Sequence, residues 1–491
     1  MTKSISYVEL KKQIIKSIRM LLKDCQFIKD HKVNSFDFTR VRSLPFWIII
    51  YISLRKSVKA MQNVINEVFQ KVDMSPVTVS AYTQARAKLK HTAFQALNSE
   101  IITLFYSTQN ELIQKFKKRR FFAVDGSKII LPDSKDIKEH FGEIQISQPS
   151  TKKSYSELFL INIVDVFNNT IIGSYTDQWD TYEVKIAERG ISDLTTQNML
   201  HQNDVFVFDR GYASYDFIEY LTNNKKDFVI RIPQSSFKDT KEMFEPNGSL
   251  DKTVTLLNPK NKKSPGIKVR FVQLTLQNGT VEVLATSLLD EFKPDDLQFL
   301  YHKRWECETS FSILKSRLDL ENFTGKTAES VYQDLHSCIL VSNLEILLTH
   351  DMNIISTDEQ QNMYNDVYID KKELKSNEND ILCVNSHKGD QEWTEEVCKK
   401  QDLQEEKNDE KTKNKKKTLY RINKSVSIHT MKSYVFDLLL GDMDIDECLA
   451  KMIKLFEMNK VPKRPRHKTP RKKTPPRQSW NYQKRKRKRV F

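Results

Sequence analysis

The chain has 491 residues, 39% of them hydrophobic, which is enough for several domains and a sizeable core and excludes a wholly disordered protein. Its net charge of +15 is unevenly placed: residues 459–491 hold fifteen Lys and Arg and no acid, and before them the two signs balance. That placement points to a polyanion, nucleic acid ahead of a membrane surface.

The first ten residues are polar and lack the apolar centre of a secretory signal. The longest apolar run, residues 44–54, is too short to span a bilayer and reads as a buried helix, so no membrane partner is expected. Six scattered cysteines without CxxC spacing suit a reducing compartment. Residues 1–115 read as a helical DNA-binding region, with apolar residues at three- and four-residue steps. Ser75-Pro76 is a helix-start signal, and the helix over 77–89, carrying Arg86 and Lys88, reads equally as a DNA-reading helix or as a packing helix with a basic face.

The period changes at residue 116. Residues 121–124 form a short apolar strand that runs out on Asp125-Gly126-Ser127, a turn signal. Residues 158–166 and 170–175 form a hairpin around Asn168-Asn169, residues 183–200 a helix, and 205–208 a second apolar strand ending on Asp209-Arg210-Gly211-Tyr212. Residues 116–225 are therefore the first part of an α/β domain with a mixed sheet. Residues 226–292 read as a β-rich insertion, with Asn278-Gly279 as a hairpin turn. The α/β pattern resumes over 293–350 with helices at 301–318 and 330–348. Residues 351–418 hold seventeen acids against twelve bases and few aliphatic residues, the composition of a disordered insert. Residues 419–458 read as C-terminal helices packing back on the core, and the tail over 459–491 is kept extended by its prolines.

The helix at 301–318 places Tyr301, Arg304, Glu308 and Lys315 within roughly 60° of one another on its circumference. Alone, this reads as a salt-bridge stripe at least as well as a site. Asp125 and Asp209 change the balance, because each stands at the carboxyl end of a strand, where α/β sheets bind ligands. Three converging carboxylates repel one another unless divalent cations neutralise them, and hard oxygen ligands suit Mg²⁺ or Mn²⁺. Two such ions support in-line attack on a phosphodiester.

These blocks resemble the catalytic segments of DDE transposases, and more narrowly the bacterial insertion-sequence-four family with its YREK signature. The resemblance rests on Tyr301, two residues, Arg304, three residues, Glu308, six residues, Lys315, together with Val124-Asp125-Gly126-Ser127 and Asp209-Arg210-Gly211-Tyr212. It spans about residues 40–350 and returns over 423–473, while the acidic insert does not fit. The resemblance implies an RNase H-like core interrupted by a β-strand insertion between Asp209 and Glu308. It implies that Asp125, Asp209 and Glu308 hold two metal ions, and that Tyr301, Arg304 and Lys315 grip transposon-end phosphates, with Arg210 as a further DNA contact. It also implies cut-and-paste transposition through a DNA hairpin, and double-stranded DNA partners at terminal inverted repeats and target. Two protomers would act in the synaptic complex, in a bacterial cytoplasm close to the nucleoid.

Two rivals stay open: a metal-dependent nuclease without strand transfer, and an inactive or repurposed copy that only binds DNA. Trp179 and Trp305 are candidates for stacking on an unpaired base, with core packing the simpler role. Cys383, His387 and Cys398 are too irregularly spaced for zinc. Asp165 and Asp204 lie beside strands without ending them as Asp125 and Asp209 do. The run over 484–489 reads as a phosphate-holding segment ahead of a nuclear localisation signal.

Overall fold

A computed structural model describes residues 6–40, 42–57, 59–107, 112–146, 153–245, 249–261, 263, 265–276, 279–352, 420–439, 441 and 443–462. The acidic insert beyond Met352, the tail beyond Pro462, and Cys383, His387 and Cys398 lie outside the described residues.

Helices come first. In α1 (Tyr7–Leu21) the Ser6 side chain accepts from the Glu9 amide, and Leu10, Ile14, Ile15 and Ile18 line one buried face. α2 (Cys25–Asp30), α3 (Phe46–Leu54), α4 (Met61–Lys71), α5 (Val79–Arg86) and α6 (Thr92–Ser107) follow. α3 has no polar face, and eight of its nine residues are buried, as its composition requires. α5 starts later than Ser75-Pro76 predicts. Thr78 is the residue in extended conformation whose hydroxyl reaches a free helix amide, that of Ala81 at 3.2 Å.

The α/β part runs β1 (Phe121–Ile130), α7 (Lys135–Phe141), β2 (Ile144–Ile146), β3 (Lys153–Tyr155), β4 (Glu157–Asp165), β5 (Ile171–Gln178), α8 (Glu183–Thr196), β6 (Val205–Phe208), α9 (Tyr215–Asn223) and β7 (Asp227–Ile232). Then come β8 (Asp251–Leu256), β9 (Ile267–Thr275), β10 (Val281–Thr286), α10 (Pro294–Lys303), α11 (Trp305–Ser316) and α12 (Ala328–Leu348). After the insert follow β11 (Tyr420–Arg421), α13 (Lys424–Leu439), α14 (Ile445–Met458) and β12 (Val461–Pro462).

Eight strands make one mixed sheet in the order β5-β4-β1-β6-β7-β10-β9-β8. β1, β4 and β5 are antiparallel, β6 and β7 run parallel to β1, and β10, β9 and β8 continue antiparallel. Asn169, at φ 60°, supplies the left-handed residue of the β4–β5 turn, and Gly279, at φ 78°, that of the β9–β10 turn. The strands of 226–292 thus extend the sheet that carries β1 and β6; they do not fold as a separate module.

Two further sequence expectations change. β1 does not stop at Val124: it pairs with β4 through Ile130, so Asp125-Gly126-Ser127 is strand and not turn. Its cross-strand partner β4 is long and apolar enough to hold the ladder across the polar residues. The helix at 301–318 is two helices, α10 and α11, with Arg304 as the joint, whose amide bonds back three residues to the Tyr301 carbonyl.

α12 is the spine of the molecule, and it packs against α3, α6, α7, α11 and α13. Four of its buried polar groups are answered from other parts of the chain. Gln333 and Asp334 meet Arg86, Asn343 bonds the backbone of Ile171 on both sides, and Glu345 accepts from Lys424 and Ser427. Buried polar groups are costly when unpaired, so these contacts fix how the helices seat on the sheet.

Candidate active site

β1 and β6 are neighbouring parallel strands, with Phe121 opposite Val205 and Ala123 opposite Val207. Continued two residues, that register sets Asp125 beside Asp209, and adjacent strands lie about 4.8 Å apart. Asp125 Oδ1 accepts from the Gly126 amide at 3.0 Å and its Oδ2 lies 3.4 Å from Arg304 Nη1. Asp209 Oδ1 accepts from the Tyr301 hydroxyl at 3.2 Å. α11 lies on β1 and β4 and delivers Glu308, whose Oε1 accepts from Arg304 Nη2 at 2.9 Å.

Arg304 is therefore the centre of the cluster. It is 6% exposed and bridges Asp125 and Glu308, while its buried Nε has no hydrogen-bond partner. Burial works against its charge, but Tyr301, Asp125, Asp209 and the Glu308 hydrogen bond outweigh burial, and its pKa is raised. Asp125 is pushed up to about 6, chiefly by burial; Arg304 and the Gly126 amide pull it down, and Glu183 and Glu308 push it further up. Tyr301 is 8% exposed, and burial first, then Asp209, raise its hydroxyl to about 12. It holds Asp209 as a neutral donor.

Lys315 stands seven residues after Glu308, about 10 Å along α11. Its Nζ donates to the Lys128 carbonyl at 2.7 Å and lies 3.9 Å from Glu321, and burial lowers its pKa. Arg210 is exposed in a short 3₁₀ helix, Arg210–Tyr212, directly after Asp209. Trp305 is 36% exposed, with the Arg304 guanidinium over its ring at 5.8 Å, and Lys128 lies over Trp179 at 5.9 Å. Asp165 and Asp204 are elsewhere. Against the sequence expectation, Asp165 does end a strand, β4, opposite Phe122, whereas Asp125 lies inside β1; Asp165 accepts from Tyr106 and Asn168, and Asp204 pairs with Arg120.

Glu183 and Asn162 carry no signal in the sequence motifs. Glu183, the first residue of α8, accepts from the Tyr212 hydroxyl at 2.8 Å. Its pKa is raised by burial, lowered by the Tyr212 bond and raised again by Asp209. From sequence it is an ordinary first-turn acid. Asn162 pairs across the ladder with Asp125 and accepts from Ser174 Oγ at 2.8 Å, and its buried Nδ2 has no partner. A polar residue inside the apolar run of β4 is the one local hint of it.

Asp125, Asp209 and Glu308 offer only hard oxygen donors, the set that suits Mg²⁺ or Mn²⁺. Among the described residues no three His, Cys, Asp or Glu side chains stand close enough together to share an ion, and Arg304 does the neutralising instead. The fit to a divalent cation rests on this all-oxygen donor set and on the carboxylates Glu183 and Glu308 that push the Asp125 pKa further up.

Residues 116–344 match the family model of the transposase DDE domain. That matched segment begins just before β1 and closes inside α12, and it includes Asp125, Asp209 and Glu308. No curated protein matches the chain. Among solved structures, the chain is similar to a piggyBac transposase synaptic complex with hairpin DNA, determined by cryo-electron microscopy. The identity is 12%, the TM-score 0.39, and the alignment covers 81% of this chain and 89% of that one. Among the described residues no helix is long and apolar enough to cross a membrane.

Proposed function

We propose that the chain is a transposase that cleaves DNA at the ends of a mobile element and joins those ends to target DNA, with Asp125, Asp209 and Glu308 as its divalent-cation ligands. The observation that supports this reading is the contact set around Arg304, which lies 3.4 Å from Asp125 and 2.9 Å from Glu308, with Tyr301 of the preceding helix bonded to Asp209 and the β1–β6 pairing running toward both aspartates. The transposase DDE domain match over the same residues supports it. So does the run of three antiparallel strands followed by two parallel ones, the order an RNase H-like core requires.

When bound, two Mg²⁺ or Mn²⁺ ions lower the pKa of an attacking water or hydroxyl and stabilise the leaving oxygen. The chain's own part is positioning. Tyr301 fixes the Asp209 carboxylate from a buried, neutral hydroxyl. Arg304 presents a planar fork and Lys315, about three turns further along, a point charge, so they reach two separated phosphates of the transposon end. Arg210 is an exposed cation beside Asp209 and adds a DNA contact. In the first step water attacks the end phosphodiester and frees a 3′ hydroxyl. The freed 3′ hydroxyl then attacks the phosphodiester of the opposite strand and closes a hairpin at the end; a second water reopens the hairpin, and the regenerated 3′ hydroxyl attacks a phosphodiester of the target and joins the end to it. Two protomers hold the two ends, the N-terminal helices recognise the terminal inverted repeats, and the spacing of Tyr301, Arg304, Glu308 and Lys315 supports kinship with the insertion-sequence-four group.

The test incubates the full chain with DNA bearing the inverted repeats that flank its coding region, with Mg²⁺, and follows nicking, hairpin formation and joining. Asp125→Ala, Asp209→Ala and Glu308→Ala should each abolish all three. Lys315→Ala should weaken end complexes with metal binding retained. Cleavage by any of the carboxylate variants at the wild-type rate would overturn the assignment, and nicking without joining would favour the nuclease.

A further inference from the structure

Glu183 is a carboxylate that the three-ligand reading leaves without a task. Its Oε1 accepts from Tyr212, a residue 2% exposed that closes the short helix after Asp209. The same oxygen lies only 2.9 Å from the point where a Cβ on residue 126 would stand, and that residue is Gly126, next to Asp125. The carboxylate is thus seated between the residue after one aspartate and the third residue after the other. A side chain at 126 would displace it, and would also meet Phe159 Cζ at 2.6 Å. An acid that merely answers the α8 dipole contributes about 0.3–1 kcal/mol and needs neither a buried tyrosine nor a missing side chain. A second observation lies in the same cluster: Arg304, 6% exposed and facing these carboxylates, keeps a buried Nε with no partner. Such an orphaned donor marks a place where further ligand oxygen belongs.

We propose that Glu183 is a fourth carboxylate of the divalent-cation site, held there by Tyr212 and admitted by the absent side chain of Gly126. This rests on the transposase reading above. Four carboxylates with Arg304 and two divalent ions leave one formal positive charge, matched to a single phosphodiester; three carboxylates would leave two. Tyr212, the last residue of the Asp209-Arg210-Gly211-Tyr212 block, becomes a positioning residue that acts through Glu183.

The experiment titrates Mn²⁺ alone into the full-length protein by calorimetry, for the wild type, Glu183→Gln, Tyr212→Phe and Asp209→Asn, with the metal-free melting temperature of each. Glu183→Gln should weaken Mn²⁺ binding on the order of tenfold with its metal-free melting temperature kept, a pattern that loss of a helix-dipole partner would not give. Tyr212→Phe leaves the charge in place and should weaken binding several-fold; it decides the question if Glu183→Gln folds poorly. Wild-type Mn²⁺ affinity in both variants, with Asp209→Asn impaired, would overturn this inference alone. If the wild type bound no Mn²⁺, or Asp209→Asn bound it normally, the three-carboxylate reading would fail and this inference with it.

Discussion

Asp125 holds its proton up to about pH 6 because burial and two neighbouring carboxylates outweigh Arg304. In an unfolded chain the same group titrates near ~3.9. The folded state therefore binds the proton more tightly, and the stability this gives is complete below about pH 4 and lost as the pH rises through about 6. Two pKa units correspond to about 3 kcal/mol. Without divalent cation, Asp125→Asn should be more stable than the wild type at pH 8 by about 2–3 kcal/mol, with the gap closing by pH 4. Urea denaturation at the two pH values measures it. Equal stability at pH 8 would mean that Arg304 already cancels the charge. The same sign makes Mn²⁺ affinity fall as the pH drops below 6, since proton and metal compete for one carboxylate.

At the scale of elements, α5 and the α10–α11 joint show how packing reassigns what spacing suggests. Arg86 looks available to DNA from sequence, yet it is 5% exposed and donates to Gln333, Thr324, the Ser330 carbonyl and Asp334. α5 is thereby clamped to α12, and its basic residue is structural. Arg86→Ala leaves Asp334 buried without its cation, a loss of about 3–5 kcal/mol in comparable pairs. The melting temperature should fall by many degrees; a fall of only a degree or two would refute the clamp. Around Arg304 the four signature residues are readable by spacing, but one continuous helix is not the outcome. Tyr301 belongs to α10, Glu308 and Lys315 to α11, and the joint lets Arg304 reach both Asp125 and Glu308.

At the scale of the molecule, α12 joins three regions far apart in sequence through Arg86, Ile171 and Lys424. The N-terminal helices, the sheet and α13 should therefore unfold together. Charge is distributed on a different plan. Fourteen of the tail's fifteen cations follow Pro462, beyond the β11–β12 pair. Removing residues 463–491 should leave that pair intact, weaken binding to every DNA sequence alike and flatten the salt dependence, because a chain that neutralises fewer phosphates releases fewer counterions. Fluorescence anisotropy at several salt concentrations checks this. A loss confined to cognate ends would give the tail a reading role instead.

Sequence by itself determined the start of the strand that carries Asp125, the strand ending at Asp209, the hairpin at Asn169, the helical N-terminus and the Tyr301–Lys315 spacing, because period, turn residues and motif spacing are local properties. It also singled out Asp125, Asp209 and Glu308 as candidates, by their expected places at strand ends and on the signature helix and by the resemblance to DDE transposases. Tertiary structure decided what depends on neighbours distant in the chain. β4 carried β1 straight through Asp125, Arg86 was buried by α12, and Arg304 was drawn between two carboxylates. Glu183 became visible only when Tyr212 and Gly126 closed around it, since nothing within a few residues of it distinguishes it from any other acid at the start of a helix.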